Sequence, residues 1–292
     1  MGSTFPAVLI PAYGRIEVTR RTLAALREEG VLSPILVDDC GTAGGPELAA
    51  EFPGLDVLTT DRPVWWTGGI VLGIERALAR GDGAFLFFNQ DVSVTPGYFE
   101  RLRETSRRFP KTLLGSTVLY AGEPGRVWSA GGKVEWFGRG IRVCHFGAGV
   151  EELPEEPFEV DWLFGMGTLV TKELLERIGP PDASRFPMAW SDTDFSLRAR
   201  GLGVPLAVDP KARLLHEVGS YDARVAGPPS ARRYVLDMRD PHHNLSISSH
   251  AEIWRRHGPR GVWPLSLALR VLVLLANYIR IRILHPGEGR DP

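Results

Sequence analysis

Two apolar runs in this 292-residue chain end in acidic or amide side chains. Ile35-Leu36-Val37 leads into Asp38-Asp39, and Ala84-Phe85-Leu86-Phe87-Phe88 leads into Asn89-Gln90-Asp91. Carboxylates gathered at one sheet edge suit a hard divalent cation and a ribose or base. The same residue types also form plain turns after strands. Further on, Trp190-Ser191-Asp192-Thr193-Asp194 sets two acids at the start of a helical stretch. Ser191 and Asp192 suit a helix cap, while Asp194 stands four residues before Arg198, the spacing of a helical ion pair. His216 follows the apolar pair Leu214-Leu215 at what reads as a strand end. His242, His243, His250 and His257 have no acidic or cysteine partner at ligand spacing and read as surface or interface residues.

Positioning such groups is the work of regular elements. Apolar runs at 7–10, 35–37, 56–58 and 84–88 read as buried strands, with helices over 18–29 and 69–80 between them. This βαβα order predicts an α/β fold with a mostly parallel central sheet and helices on both faces. Ligands of such sheets bind at the carboxyl ends of the strands. Those ends are Pro11-Ala12-Tyr13, Asp38-Asp39, Thr59-Thr60-Asp61 and Asn89-Gln90-Asp91. Neither a Gly-x-Gly-x-x-Gly after the first strand nor a Gly-x-x-x-x-Gly-Lys-Ser/Thr loop is present, which weakens dinucleotide-binding and phosphate-loop readings. After Pro110, residues 128–146 are Gly-rich with β-like runs at 133–137 and 141–145, the pattern of a hairpin or meander. Residues 151–159 read as an acidic surface loop, 160–164 as a strand, and 171–178, 192–200 and a tail from 232 as helices.

A net charge of -1 and a pI near 6.7 provide no basic field, so nucleic acid is not an expected partner. Two cysteines, Cys40 and Cys144, make no disulfide framework, and no secretory signal is read at the N-terminus, so the expected location is cytoplasmic. Residues 261–279 carry one charge, Arg270, and are bracketed by Arg255, Arg256, Arg260, Arg280 and Arg282. Their length approaches the roughly 20 residues of a spanning helix, but Arg270 sits mid-stretch. Two readings stay open: a helix lying on the inner face of an anionic plasma membrane, and a buried core or homodimer-interface helix.

These landmarks, from about 7 to 216, resemble family 2 glycosyltransferases with the GT-A fold, especially bacterial rhamnosyltransferase-like members. The resemblance rests on Val8 to Tyr13, on Val37-Asp38-Asp39-Cys40-Gly41-Thr42, on Trp65-Trp66-Thr67-Gly68-Gly69 and on Asn89-Gln90-Asp91. It continues in Asp161 to Gly167, in Trp190 to Arg198 and in His216-Glu217-Val218-Gly219-Ser220. It implies a sugar-donor pocket built from Pro11, Ala12, Tyr13, Arg15, Asp38, Asp39, Trp66, Gly68, Gly69, Asn89 and Gln90, with Asp38 holding the nucleoside. Trp65-Trp66 would stack on a sugar or base, or pack in the core. The acceptor side would comprise Trp162, Gly165, Met166, Gly167, Trp190 and Asp194.

By the same resemblance, Asp91 holds Mg²⁺ or Mn²⁺ against the diphosphate, with His216 as a second ligand, and Asp192 is the general base of an inverting transfer. Asp194 is the alternative base. The sequence departs from the family pattern at Asn89, where an acid is usual, and at Ser191. Asp91 is therefore expected to depend on the sugar donor to complete its coordination. The donor would be a dTDP-, UDP- or GDP-sugar and the acceptor a saccharide or lipid-linked hydroxyl, in bacterial cell-envelope or polysaccharide assembly. Residues 1–110 and 111–225 would form the nucleotide and acceptor halves of one domain, and 226–292 a C-terminal helical extension. Residues 219–230 would form a lid, and Arg232, Arg233 and Arg239 would either reach phosphates or form a solvated helix face. The rival readings are a sugar nucleotidyltransferase, which would need a Gly-x-Gly-Thr-Arg-type loop that 11–15 lack, and a nucleotide-sugar-binding protein without turnover.

Overall fold

The computed structural model describes residues 6–217 and 230–284; the expected lid at 219–230 lies almost wholly outside them. The chain begins β1 (Ala7–Ala12), α1 (Ile16–Glu28), β2 (Ile35–Asp38), α2 (Gly45–Glu51), β3 (Asp56–Thr59), α3 (Trp65–Arg80) and β4 (Ala84–Phe87). It continues through β5 (Val92–Val94), α4 (Tyr98–Arg108), β6 (Leu113–Tyr120), β7 (Glu123–Ser129), β8 (Gly132–Glu135), β9 (Gly140–Val143) and β10 (Phe158–Glu159). Then come β11 (Thr168–Thr171), α5 (Lys172–Ile178), α6 (Ser191–Gly201) and β12 (Leu206–His216). Three helices close the described chain: α7 (Ala231–Arg239), α8 (Ile247–His257) and α9 (Trp263–Leu284).

The central sheet runs β10-β12-β6-β11-β4-β1-β2-β3. β3, β2, β1 and β4 are mutually parallel, as strands joined by crossover helices must be. Beyond β4 the sheet turns mixed, because β11 inserts antiparallel between β4 and β6. Side chains of a strand alternate between faces, and here each face has its own core. Leu9, Ile35, Val37, Phe85 and Phe87 pack with Ile70, Ile74 and Ala77 of α3 and Leu174 of α5. Val8, Ile10, Leu36, Leu86 and Phe88 pack with Leu23 and Leu26 of α1 and Phe99 and Leu102 of α4. Both faces are covered, so the strands read as unbroken apolar runs.

α3 starts at Trp65, four residues before the expected position, and its first turn lies against β1. A Cβ on Gly69 would fall 2.7 Å from Pro11 Cβ, so only glycine permits this approach. Residues 160–164 are not a strand. Val160, Trp162 and Leu163 are all buried, and the segment pairs only through a bridge between Trp162 and Gly132; an apolar run of this length reports burial, not pairing. β12 is the long strand the sequence hides, because Asp209-Pro210-Lys211 interrupts it where the register shifts against β6.

The C-terminal helices dock rather than trail. Ile253 and Trp254 of α8 form a third core with Phe186 and Leu197, joined by Trp136, Ile141, Trp263 and Leu267. Of the surface and interface places expected for His250, the structure excludes the first: it is buried beside Trp190 and Trp254.

Gly69→Val should destabilise the fold by about 1–3 kcal/mol through overpacking against Pro11. Urea unfolding would show this as a lower midpoint at unchanged slope. Gly83→Ala, whose Cβ would meet nothing within 4 Å, should leave the midpoint in place.

Candidate active site

The carboxyl ends of β1, β2 and β4 meet at a cleft of about 360 Å³. Of the expected sugar-donor set, Pro11, Ala12, Tyr13, Arg15, Asp39, Trp66, Gly69, Asn89 and Gln90 line it, with Asp91. Val37, Pro63, Val64 and Met188 line it too and were not foreseen, and Trp65 faces it beside Trp66. Pro63 and Val64 follow the end of β3, so reading that strand end a few residues further would have found them; Met188 carries no sequence signal. Arg15 and Trp65 both adopt left-handed backbone conformations, with φ of 54° and 59°, a strain that concentrates at functional sites.

The paired acids after β2 each hold a helix start. Asp38 is fully buried, and its carboxylate accepts from the amides of Ala43 at 2.7 Å and Gly45 at 2.8 Å, at the beginning of α2. It has no face toward a nucleoside, which corrects its expected role. Asp39 accepts from the amides of Val64 at 3.0 Å and Trp65 at 2.9 Å, satisfying the first donors of α3 while lining the cleft. Gly68 is not part of the cleft lining; a Cβ there would meet Val64, the residue that precedes α3. Gln90 spends its amide on the chain itself, accepting from Tyr13 N at 2.9 Å and donating to Tyr13 O at 3.2 Å. It therefore fixes the turn after β1, leaving the Tyr13 ring exposed at the rim.

Asp91 lies beside His216, delivered by the antiparallel pairing of β5 with β12. His216 Nε2 stands 3.8 Å from Asp91 Oδ1, and Arg15 Nη1 lies 3.3 Å from Asp91 Oδ2. Burial pushes the Asp91 carboxyl up, but the nearby His216 and the charge of Arg15 outweigh it and hold the group below the usual carboxylate range. His216 Nδ1 is buried without a hydrogen-bond partner among the described residues. An imidazole facing a carboxylate is a fitting pair for a divalent cation. Among the described residues, no group of three or more His, Cys, Asp or Glu side chains could hold a metal ion.

Asp192 lies in the first turn of α6, half-buried, and connects to the cleft through Trp66. Its Oδ2 accepts from Gly165 N at 3.1 Å and its Oδ1 from Thr193 N at 2.7 Å. Burial raises its pKa, and these amides only partly offset the effect. Neither Ser191 nor Asp192 occupies the cap position of α6; Trp190 does, with φ 72° and no side-chain bond to the helix start. Trp66 packs so closely on Gly165 that a Cβ there would fall 2.2 Å from Trp66 Cη2. The same indole donates through Nε1 to Asn89 Oδ1 at 2.8 Å. Asn89, Trp66, Gly165 and Asp192 thus form one connected line.

The rest of the expected acceptor set does structural work. Trp162 is buried against Phe164 and donates to Arg142 O. Met166 belongs to a core cluster, and Gly167 sits against Ser116 and Leu214. Trp190 turns away toward the extension and donates to Asn244 O. Asp194 is fully buried and binds Arg198 at 2.9 Å, Arg256 at 3.2 Å and His257 at 2.9 Å. With both oxygens taken up by two arginines and a histidine, and no exposure, it is neither an acceptor contact nor the base. Arg233 pairs with Asp237 along α7, the helix-face arrangement.

A family model described as "Glycosyl transferase family 2" matches residues 7–174, more than half of the chain. The chain belongs to glycosyltransferase family 2. It is 21% identical over 156 residues to the dTDP-rhamnosyl transferase RfbF of Shigella flexneri, a match covering 53% of this chain and 50% of that protein. It is 24% identical over 212 residues to the uncharacterized protein Rv1525 of Mycobacterium tuberculosis, 72% of each. A crystal structure of GalNAc-T7 with UDP, GalNAc and Mn²⁺ superposes with a TM-score of 0.57 at 11% identity, covering 98% of this chain and 56% of the other. The chain thus spans about half the length of the rhamnosyl transferase and of GalNAc-T7, and the fold of this family 2 member is GT-A.

The Asp194 cluster predicts an acid-sensitive link between α6 and α8. Burial raises the Asp194 carboxyl, but His257 and Arg198 outweigh it and hold it below the usual carboxylate range. A depressed carboxylate contributes stability that is complete above its unfolded pKa and is lost as pH falls through the folded value. Asp194→Asn should therefore flatten the acid limb of the stability–pH curve below about pH 4. At pH 7, Asp194→Ala should lower urea-unfolding stability by about 3–5 kcal/mol, since Arg198 and Arg256 lose their shared buried carboxylate and His257 its hydrogen-bond partner.

Proposed function

We propose that this family 2 member is a metal-dependent, inverting glycosyltransferase. It would move a hexose or deoxyhexose from a nucleoside-diphosphate donor to a hydroxyl of a saccharide or lipid-linked acceptor in bacterial cell-envelope or polysaccharide assembly. The observation that carries this reading is the connection of Asp91 and His216, at one end of the cleft, to Asp192 through Asn89, Trp66 and Gly165. Likeness to a dTDP-rhamnosyl transferase makes dTDP-rhamnose the first sugar donor to try.

The cleft offers separate contacts to each part of such a donor. Asp39, with Pro11 and Val37 beside it, faces a base or ribose, and the exposed ring of Tyr13 is placed to stack. Arg15, half-exposed beside Asp91, can turn its guanidinium to a diphosphate. Mg²⁺ or Mn²⁺ held by Asp91 and His216 would neutralise charge growing on the departing diphosphate. Two protein ligands suffice when phosphate oxygens and water supply the rest. Asn89 gives its carbonyl oxygen to Trp66 and keeps its amide N–H groups for a sugar or phosphate oxygen.

Asp192 has the character of a general base. Burial raises its pKa, which makes the carboxylate a stronger proton acceptor than an exposed one. It takes the proton of the acceptor hydroxyl as that oxygen forms a bond to the anomeric carbon. The bond from that carbon to the diphosphate breaks on the opposite face, its electron pair leaves with the nucleoside diphosphate, and the configuration inverts.

In a panel of UDP, GDP and dTDP with Mg²⁺ or Mn²⁺, one nucleotide should raise the melting temperature, and chelator should abolish the rise. A ligand at a hundred times its Kd adds about 2.7 kcal/mol, a shift of several degrees, and Asp91→Asn should remove the metal-dependent part. A flat response across the panel would refute the cleft assignment. Asp192→Asn should keep the nucleotide shift and lower kcat by about 10²–10⁴-fold. In the native protein, kcat should fall as pH drops through a value above the ordinary carboxylate range. Retained transfer in Asp192→Asn would move the base elsewhere.

A further inference from the structure

The two sides of α9 have different partners. Along one side, contacts recur at every fourth residue. Ser266 Oγ accepts from Trp254 Nε1 at 2.9 Å and donates to Trp136 O. Arg270 Nη1 donates to Arg139 O at 2.9 Å. Leu274 O accepts from the Tyr234 hydroxyl at 3.1 Å, and Tyr278 stacks on Tyr234 with ring centroids 4.2 Å apart. Four-residue spacing keeps these positions on one face of a helix, so this face is tied to the folded domain over most of its length.

The opposite face carries Leu265, Leu269, Leu272, Ile279 and Ile283, which are 71%, 39%, 63%, 56% and 71% exposed. At 3.6 residues per turn these five form one stripe, and Arg280 and Arg282 fall on its two flanks. No acid occurs between Glu252 and Glu288, while Arg255, Arg256, Arg260, Arg270, Arg280 and Arg282 all lie in that interval. Trp263–Ile283 is long and apolar enough to cross a membrane, and only 11% of its most apolar stretch is buried. Crossing would strip away the contacts of these four residues on the tied face and carry Arg270 into hydrocarbon, at a cost that isolated spanning helices avoid.

We propose that α9 docks the protein flat on an anionic bilayer. The leucine–isoleucine stripe sinks to the boundary between headgroups and acyl chains, while Arg280 and Arg282 reach back to lipid phosphates on either flank. A second copy of this chain is the less favoured occupant, since pairing two stripes brings their flanking arginines together with no acid on α9 to compensate. The inference stands on the helix alone and does not depend on the catalytic reading.

The test is co-sedimentation of the full chain with phosphatidylcholine vesicles, with and without about one-third phosphatidylglycerol. The native protein should bind the mixed vesicles and bind pure phosphatidylcholine far less. Leu272→Asp and Ile279→Asp should each lower the vesicle partition coefficient at least about tenfold, at unchanged melting temperature, because neither side chain touches the tied face. Arg280→Gln and Arg282→Gln should each cost about fivefold, on the anionic vesicles only. Equal binding by native protein and Leu272→Asp would overturn the proposal. So would a dimer in light scattering that binds no vesicles and that Ile279→Asp converts to monomer, which would make the stripe an interface between copies. Resistance of vesicle-bound protein to alkaline extraction would overturn the flat orientation in favour of a spanning helix.

Discussion

The indole of Trp66 is the contact on which the two halves of the site depend. Its N–H is half-buried and needs an acceptor, and Asn89 provides one at 2.8 Å. Its ring then occupies the space that any side chain at position 165 would fill. Gly165 in turn presents its amide to Asp192. Each step restricts the next: the hydrogen bond sets the ring, the ring requires glycine, and the glycine amide orients the carboxylate. The departure from an acidic residue at 89 has a physical reading here. An asparagine oxygen accepts the indole N–H as well as a carboxylate would, while adding no negative charge beside Asp91. It also leaves two N–H groups that an aspartate could not offer.

Much of the scaffold was legible in the sequence because it obeys local rules. Period-two alternation under two-sided burial gives uninterrupted apolar strands, and the order of strands and helices gives the parallel half of the sheet. The edge where β1, β2 and β4 end follows from that order alone, so the residues gathered there were found. What stayed hidden depends on partners far away in the chain. β12 is broken by a proline at a bulge, and only its pairing with β6 on one side and β5 on the other makes it a strand. Asp194 meets His257 and Arg256 about sixty residues away, and no spacing rule announces such a cluster.

The paired acids after β2 show the limit more sharply. Asp38 and Asp39 are neighbours of identical type, and both were expected at the donor, with Asp38 holding the nucleoside. Backbone geometry separates them, and only Asp39 lines the cleft. Asp38 belongs to the strand and points under the following loop, where the amides of Ala43 and Gly45 consume both oxygens. Asp39 lies past the strand end and turns up to the first amides of α3. Trp162, Met166 and Gly167, expected at the acceptor, are taken up by packing for a related reason. Glycines and aromatics at 162–167 resemble pocket-lining types, yet they act mainly by letting Trp66, Ser116 and Leu214 approach closely.

The electrostatics at Asp91 suit the charged donor proposed above. A carboxylate this buried is costly to ionise, and Arg15 and His216 keep it charged. Neither partner is held tightly: Arg15 is about half exposed at 3.3 Å, and His216 stands at 3.8 Å, beyond ordinary hydrogen-bond length. Such an arrangement stabilises the charge without consuming its ligand capacity. A divalent cation arriving with a diphosphate could take over the role of Arg15 at Asp91, and the freed guanidinium would find a new anion in the phosphate. The exchange would conserve the balance of charge in the cleft, so that little desolvation cost falls on either partner alone. On this view the left-handed conformation at Arg15, fixed by the Gln90 clamp on the preceding turn, keeps the arginine within reach of both partners.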